Sequence, residues 1–242
     1  MKTQDTSMLW GAFKELNGRR RAIRDFDGSA IPDAHVRELL AEAALAPSSG
    51  NLQPYRFHWI RDAALKARVA AVCNGQRAAV SAPTLIVVTA SREIALSTAD
   101  QQLAHIDAST ELPERSKAYH RQQVQKFLRL LNVGSWPVWS PLAAIAGLVR
   151  PSLSLLPVGH MGNRSWAARN ANFASQTLML AAAAKGIDSC PMEGFSASRL
   201  ARELSLPRGT VIPLVIALGY RSQDARVERQ WRKSLADLVV EH

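Results

Sequence analysis

Four short stretches carry residue types that could do chemistry. The first is RRRAIRDF, residues 19–26, which sets Arg20, Arg21 and Arg24 close together. Guanidinium forks match phosphate oxygens bidentately, so such a run suits an anionic ligand, although it also suits a solvated face. The second is PSSGNLQP, residues 47–54, where Pro47, Ser48, Ser49 and Asn51 bring hydroxyl, amide and open backbone groups into one loop. It fits a grip on a polar ligand edge and equally a helix-ending turn. The third is DSCPMEGF, residues 188–195. Pro191 restricts the backbone there, and Gly194 lets it approach something flat, or the stretch is a strand and its turn. The fourth is the tail, with Arg229, Arg232 and Lys233, which could close over a phosphate or be solvated.

Other chemistries leave no trace. There is no GxGxxG after a strand and no GxxxxGK[ST], so the usual nucleotide loops are missing. No GxSxG elbow, HExxH pair or Cys/His cluster occurs, and the six histidines are scattered, so no metal site is expected.

These stretches need elements to position them. Residues 7–17 are predicted as a helix with Leu9, Phe13 and Leu16 on one face, Ser7 as its cap and Gly18 as its stop. Val36, Leu39, Leu40 and Ala43 recur with helical period over 33–46. YRFHWI, residues 55–60, alternates as a strand, and 62–72 is helical. TLIVVTA (84–90) and VIPLVIALGY (211–220) are continuous apolar runs, as in strands buried on both faces. Residues 115–131 form a basic amphipathic helix, 165–185 a helix capped by Ser165 and stopped at Gly186, and 196–204 a short helix. Between them, 133–164 holds four prolines and two tryptophans and is expected to be an irregular apolar insertion. Helices and strands mix without repeat or linker, which predicts one α/β or α+β domain over 1–242.

Composition adds bounds. Apolar residues make up 47% of the chain, enough for a sizeable core. Thirty Lys and Arg against 20 Asp and Glu give a formal charge of +10, which favours anionic partners. Nucleic acid is not expected, because no reader motif or aromatic-basic sheet pattern is present. Cys73 and Cys190 are far apart and form no disulfide framework, so a reducing, cytoplasmic setting is expected. The start lacks a signal-peptide core. The longest apolar stretch, 135–149, is proline-interrupted and shorter than the ~20 residues a membrane span needs. Membrane contact is therefore not expected.

In this order, RRAIRDF, APSSGNLQPYRF and CPMEGF together closely resemble the nitroreductase family of FMN-dependent enzymes. The resemblance covers about 18–95 and 163–240. It implies an α/β/α sandwich with a mixed, largely antiparallel sheet, and a homodimer with FMN at the subunit interface and swapped C-terminal tails. Arg20, Arg21 and Arg24 would hold the phosphate and ribityl chain, with Arg24 nearing the pyrimidine edge. Ala22 stands where serine is common, at a main-chain contact. Pro191, Met192, Glu193 and Gly194 would lie beside the isoalloxazine, with the backbone N–H of Glu193 or Gly194 toward N5. Pro47, Ser48, Ser49 and Asn51 would reach a flavin held mainly by the other subunit, Tyr55 replaces the commoner tryptophan, and Arg232 with Arg229 would bind phosphate from the tail. No side chain need be catalytic, because the flavin carries the chemistry. The implied reaction is ping-pong reduction of a nitroaromatic, quinone or similar acceptor by NAD(P)H. The insertion would be a hydrophobic lid or dimer packing. Oxidative, dehalogenating and flavin-processing members, and a non-catalytic flavin binder, are the alternatives.

Overall fold

The computed structural model describes residues 3–133, 136, 138–152 and 157–242. Four strands form one sheet in the order β1-β2-β4-β3: β1 (Tyr55–Ile60), β2 (Thr84–Ala90), β3 (Asp188–Met192) and β4 (Val211–Gly219). All three strand pairs are antiparallel. The parallel component is an isolated bridge from Ala22 to Ser189 on the outer edge of β3.

The uninterrupted apolar character of β2 and β4 follows from helices on both faces. Ile86, Val88, Ala90, Leu214, Ile216 and Leu218 point into one core. There they meet α2 (Asp33–Ala44), α5 (Arg92–Ala108), α6 (Glu114–Val133) and α8 (Gly159–Ala184). Leu85, Val87, Val215 and Ala217 point into a second core with α3 (Ala63–Val72), α4 (Arg77–Ser81) and α9 (Ala197–Glu203). A strand covered on both sides has no solvent face on which to alternate polar residues. The result is an α+β sandwich.

The long helix α8 packs across the first core through Trp166, Ala167, Ala171, Ala174, Leu178 and Ala182. It ends as predicted at Gly186, whose φ of 71° permits a Schellman close. Ile187 N–H donates to Ala182 O at 2.9 Å and Gly186 N–H to Ala183 O at 3.1 Å.

Several boundaries differ from expectation. α8 begins at Gly159, and Ser165 lies inside it, accepting from Arg169 Nη1 at 2.9 Å instead of capping. The earlier start depends on Gly159, whose φ is 71° and where a Cβ would sit 3.1 Å from Ser140 Oγ. Ser140 Oγ in turn accepts from His160 N–H at 3.1 Å. The segment expected to be irregular contains α7 (Trp139–Val149) as well as the first turn of α8. Its Pro141 falls in the first turn of α7, where no intrahelical donor is lost. α1 (Thr3–Arg19) is longer than the predicted 7–17 and takes Ser7 into its body. α5 had no counterpart in the periodicity. It buries only Ala95, Ala99 and Ile106 and is capped by Ser91, which accepts from Ile94 N–H at 3.2 Å. Among the described residues no helix is long and apolar enough to cross a membrane.

Cys73 and Cys190 are free, buried thiols in the second core. Burial pushes the Cys73 thiol up to about 11. Its thiolate is thus disfavoured in the folded chain relative to the unfolded one. Stability from this group is complete below the unfolded value near 9 and is lost as pH rises through about 11. Iodoacetamide should therefore leave Cys73 unmodified at pH 8.5 in the native protein and label it after unfolding. Rapid native labelling, read by peptide mass, would contradict this burial.

Candidate functional site

After α1 the chain runs along the outer edge of β3. Ile23 N–H donates to Ser189 O at 3.1 Å, and farther on Asp27 N–H donates to Tyr220 O at 2.9 Å. Ile23 and Phe26 are buried beneath this segment, while Arg24 between them is exposed. Asp25 pairs with Arg77 at 2.7 Å, and that guanidinium holds the carboxylate below its usual range. Asp25 is thereby engaged away from the neighbouring arginines.

The tail folds back over the same segment. Between them lies a cavity of about 260 Å³ whose lining includes Arg20, Ala22, Arg24, Arg229, Trp231 and Arg232. Arg21, also in the lining, donates through Nη2 to the Glu228 carbonyl, and Arg232 Nη1 donates to Trp231 O at 2.7 Å. Glu228, the acidic residue of the lining, pairs with Arg226. Arg20 feels the crowding most. Partial burial first, then Arg232 and Arg21, depress its guanidinium below the ordinary value. Cations collected in a partly desolvated cleft without an equal number of carboxylates make a site for an anion with several oxygens.

The edge of β3 continues from this cavity. Because Ser189 O faces Ile23, the alternation of an antiparallel ladder turns the backbone groups of Ser189 and Pro191 away from β4. Pro191 has no N–H to leave unpaired at that edge, which suits an edge strand. Glu193 follows β3 directly, and its carbonyl accepts from Phe195 N–H at 3.0 Å. Met192 is buried, whereas Glu193 and Gly194 are exposed. The turn is clamped from outside: Gly194 O accepts from Gln76 Nε2 at 2.7 Å and Asn74 Nδ2 at 3.0 Å. Space is tight, since a Cβ on Gly194 would approach Gln76 Nε2 to 3.0 Å.

The PSSGNLQP loop is a 3₁₀ turn with three left-handed residues: Gly50, Asn51 and Gln53 at φ 63°, 55° and 39°. Many of its polar groups hold the loop itself. Ser48 Oγ accepts from Gln53 N–H at 3.0 Å, Ser48 O from Asn51 N–H at 2.9 Å, and Asn51 Oδ1 from Gln53 Nε2 at 3.1 Å. A Cβ on Gly50 would come within 2.9 Å of the Phe127 ring of α6. The loop is tied to α8 by Asn170, a buried amide that accepts from Ser49 N–H and donates to Trp166 O, both at 2.8 Å. Pro47, Ser49 and Asn51 remain exposed.

A sheet of this order with an arginine segment along one edge can be compared with known proteins. The Nitroreductase family model matches residues 18–220. The chain belongs to the nitroreductase family. Among curated relatives it is 30% identical to protein DrgA of Synechocystis over 215 residues, covering 88% of this chain and 85% of that one. It is 29% identical to an NADH dehydrogenase of Thermus thermophilus over 206 residues, covering 85% of each. The fold is shared with a Bacillus subtilis nitroreductase, ydfN, at a TM-score of 0.75 and 24% identity, covering 96% of this chain and all of that one. It is also shared with an Exiguobacterium sibiricum nitroreductase solved in complex with FMN, at a TM-score of 0.70 and 23% identity, covering 95% and 97%.

Within this nitroreductase-family chain, the predicted positions fall into two groups. Arg20, Arg21, Ala22, Arg24, Arg229 and Arg232 line one cavity, whereas Pro191 and Met192 close β3 and Glu193 and Gly194 follow it. Pro47, Ser48, Ser49 and Asn51 do not line that cavity. Three supporting residues were not anticipated. Asn74 and Gln76 flank Gly75, and the Asn74-Gly75 dipeptide is a turn signal in the sequence that the left-handed Asn74 bears out. Asn170 was marked only as an asparagine in an alanine-rich helix. Asn170→Ala should cost about 1 kcal/mol, because it removes the part-buried hydrogen bond that Ser49 N–H makes to α8. The loop should then be cut faster by a nonspecific protease, and unchanged stability and cleavage would remove Asn170 from this role.

Proposed function

We propose that this chain is an FMN-dependent NAD(P)H oxidoreductase that reduces a small aromatic or quinone-like acceptor. The observation that carries the reading is the crowd of Arg20, Arg21 and Arg232 in one cavity beside the open edge of β3. The donor set suits FMN: guanidinium groups for a phosphate, and backbone N–H groups for a flat heterocycle. Arg20, Arg21, Arg229 and Arg232 would hold the phosphate. Ala22 would meet the cofactor through its main chain, and Arg24 would lie toward the ring. The Glu193 or Gly194 N–H would donate to the ring's N5, steadied by the clamp on Gly194 O. Bound FMN would supply hydride acceptance from NAD(P)H and delivery to the acceptor. One open face would serve both substrates in turn, which gives a ping-pong order.

The reading also asks for a second copy of the chain. Pro47, Ser48, Ser49 and Asn51 lie outside the arginine cavity, so this loop would cover a cofactor held by the other subunit. Leu9, Trp10 and Phe13 on α1 and Trp231, Leu235 and Leu238 in the tail expose apolar surface. Burying it would favour a dimer whose tails wrap the partner. α7, with Leu142 and Ile145 exposed, would be the lid that meets the acceptor.

The deciding experiment is an absorbance spectrum of the FMN-reconstituted protein before and after anaerobic NADPH or NADH. Bleaching of the flavin bands supports the reading. A protein that takes up flavin and stays oxidised would be a flavin binder with another role, and one that cannot take up FMN would refute the assignment.

A further inference from the structure

A second polar pocket, of about 90 Å³, lies where the first turns of α8 meet the start of α5, and it is lined by Arg92, Glu93, His160, Asn163, Arg164 and Gly209. Two of these residues lack partners where partners are needed. Asn163 is 5% exposed, and its Oδ1 is buried without a hydrogen bond. Arg164 Nε is also buried without an acceptor. No ion pair to Arg164 occurs among the described residues.

The other charges there are already balanced. Arg92 donates to Leu131 O at 2.9 Å and Asn132 Oδ1 at 2.7 Å, which ties α5 to the end of α6, and it faces Glu93 at 3.8 Å. Arg164 is therefore the uncompensated cation, with the His160 side chain at the rim. Buried polar groups in native proteins are normally satisfied by protein, water or ligand. Water could satisfy Asn163 but would leave the guanidinium without a counter-charge. A carboxylate could answer Arg164 but offers no donor to Asn163 Oδ1. A hydrogen phosphate offers both: an anionic oxygen for Arg164 and a P–OH for Asn163. For the dianion, the Asn163 amide turned the other way round supplies a donor.

We propose that this pocket binds a phosphate group through Arg164, Asn163 and His160. The group could be free phosphate or a phosphomonoester such as the adenosine 2′-phosphate of NADPH. Binding itself does not depend on the oxidoreductase reading, whereas the nucleotide source does.

The arginine cavity would also attract phosphate, so the test uses full-length protein carrying Arg20→Leu and Arg232→Leu. Calorimetric titration with inorganic phosphate should show one site. Adding Arg164→Gln should weaken it about 10- to 100-fold, as expected for a charge-assisted hydrogen bond. A circular dichroism spectrum would confirm that the triple variant is folded. If the source is NADPH, 2′,5′-ADP should bind at least tenfold tighter than 5′-ADP, and Arg164→Gln should erase the difference. If the source is free phosphate, the two nucleotides should bind alike while phosphate still binds. Absence of phosphate binding in the protein lacking Arg20 and Arg232, or equal binding after Arg164→Gln, overturns the site.

Discussion

Replacing Arg20 and Arg232 together with leucine is expected to weaken FMN binding by about a thousandfold while leaving the folded apoprotein at least as stable. The two halves of this result have one cause. A hydrogen bond to a charged group contributes ~1.5–3 kcal/mol, so two removed from a phosphate amount to roughly two to four orders of magnitude in affinity. In the absence of an anion the same guanidinium groups repel. Burial first, and then Arg232 and Arg21, already lower the Arg20 value, so the charged form is disfavoured where it sits. Removing it relieves the apoprotein and penalises only the complex. Flavin fluorescence titration measures the first half and urea unfolding of apoprotein the second. A variant that binds FMN normally would move the phosphate site elsewhere. One that loses FMN and stability together would show that the arginines act through the fold. Arg229→Leu should have a smaller effect than Arg20→Leu, since Arg229 is exposed on the tail whereas Arg20 is partly buried.

The parts of the molecule legible beforehand are those specified by local chemistry. β2 and β4 announce themselves because both faces are covered, so each is apolar throughout. The arginine segment, the Pro-Ser-Ser-Gly-Asn loop and the Pro-Met-Glu-Gly turn are short and contiguous, and each is visible as a motif. α5 was hidden because its core contacts are made by alanines, which carry little periodic signal. α7 was hidden because the prolines in and around it suggested breaks, and the structure places Pro141 in a first turn where it breaks nothing. The least legible features are long-range. Asn170 meets Ser49 across 121 positions of sequence, and Asn74 and Gln76 meet Gly194 across 120 and 118. No window of sequence contains both ends of such a contact. The separation of the 47–51 loop from the arginine cavity is likewise a property of the assembled sheet, not of either motif.

Gly219→Ala is expected to destabilise the protein by about 3 kcal/mol and to weaken FMN binding as well, although Gly219 does not line the arginine cavity. A Cβ there would stand 2.7 Å from both the Phe26 ring and Pro83 Cδ. Pro83 leads directly into β2 and its ring is stiff, so Phe26 must move. Overpacking of this kind costs ~1–3 kcal/mol, and two contacts below 3.0 Å argue for the upper end. Phe26 is not a passive neighbour. Its backbone bridges Arg221 and its N–H donates to Ser81 Oγ at 3.1 Å. Displacing it therefore strains the anchorage of the segment that carries Arg20 and Arg24. A double-mutant cycle isolates this route. Phe26→Ala alone should destabilise by opening a cavity, but Gly219→Ala added to it should cost clearly less than it does in the wild type, because one of the two clashes is gone. Strict additivity in chemical unfolding would mean that Pro83 alone resists the methyl group. FMN affinity should then fall with Phe26→Ala but not with Gly219→Ala, which would break the proposed link between the end of β4 and the arginine cavity.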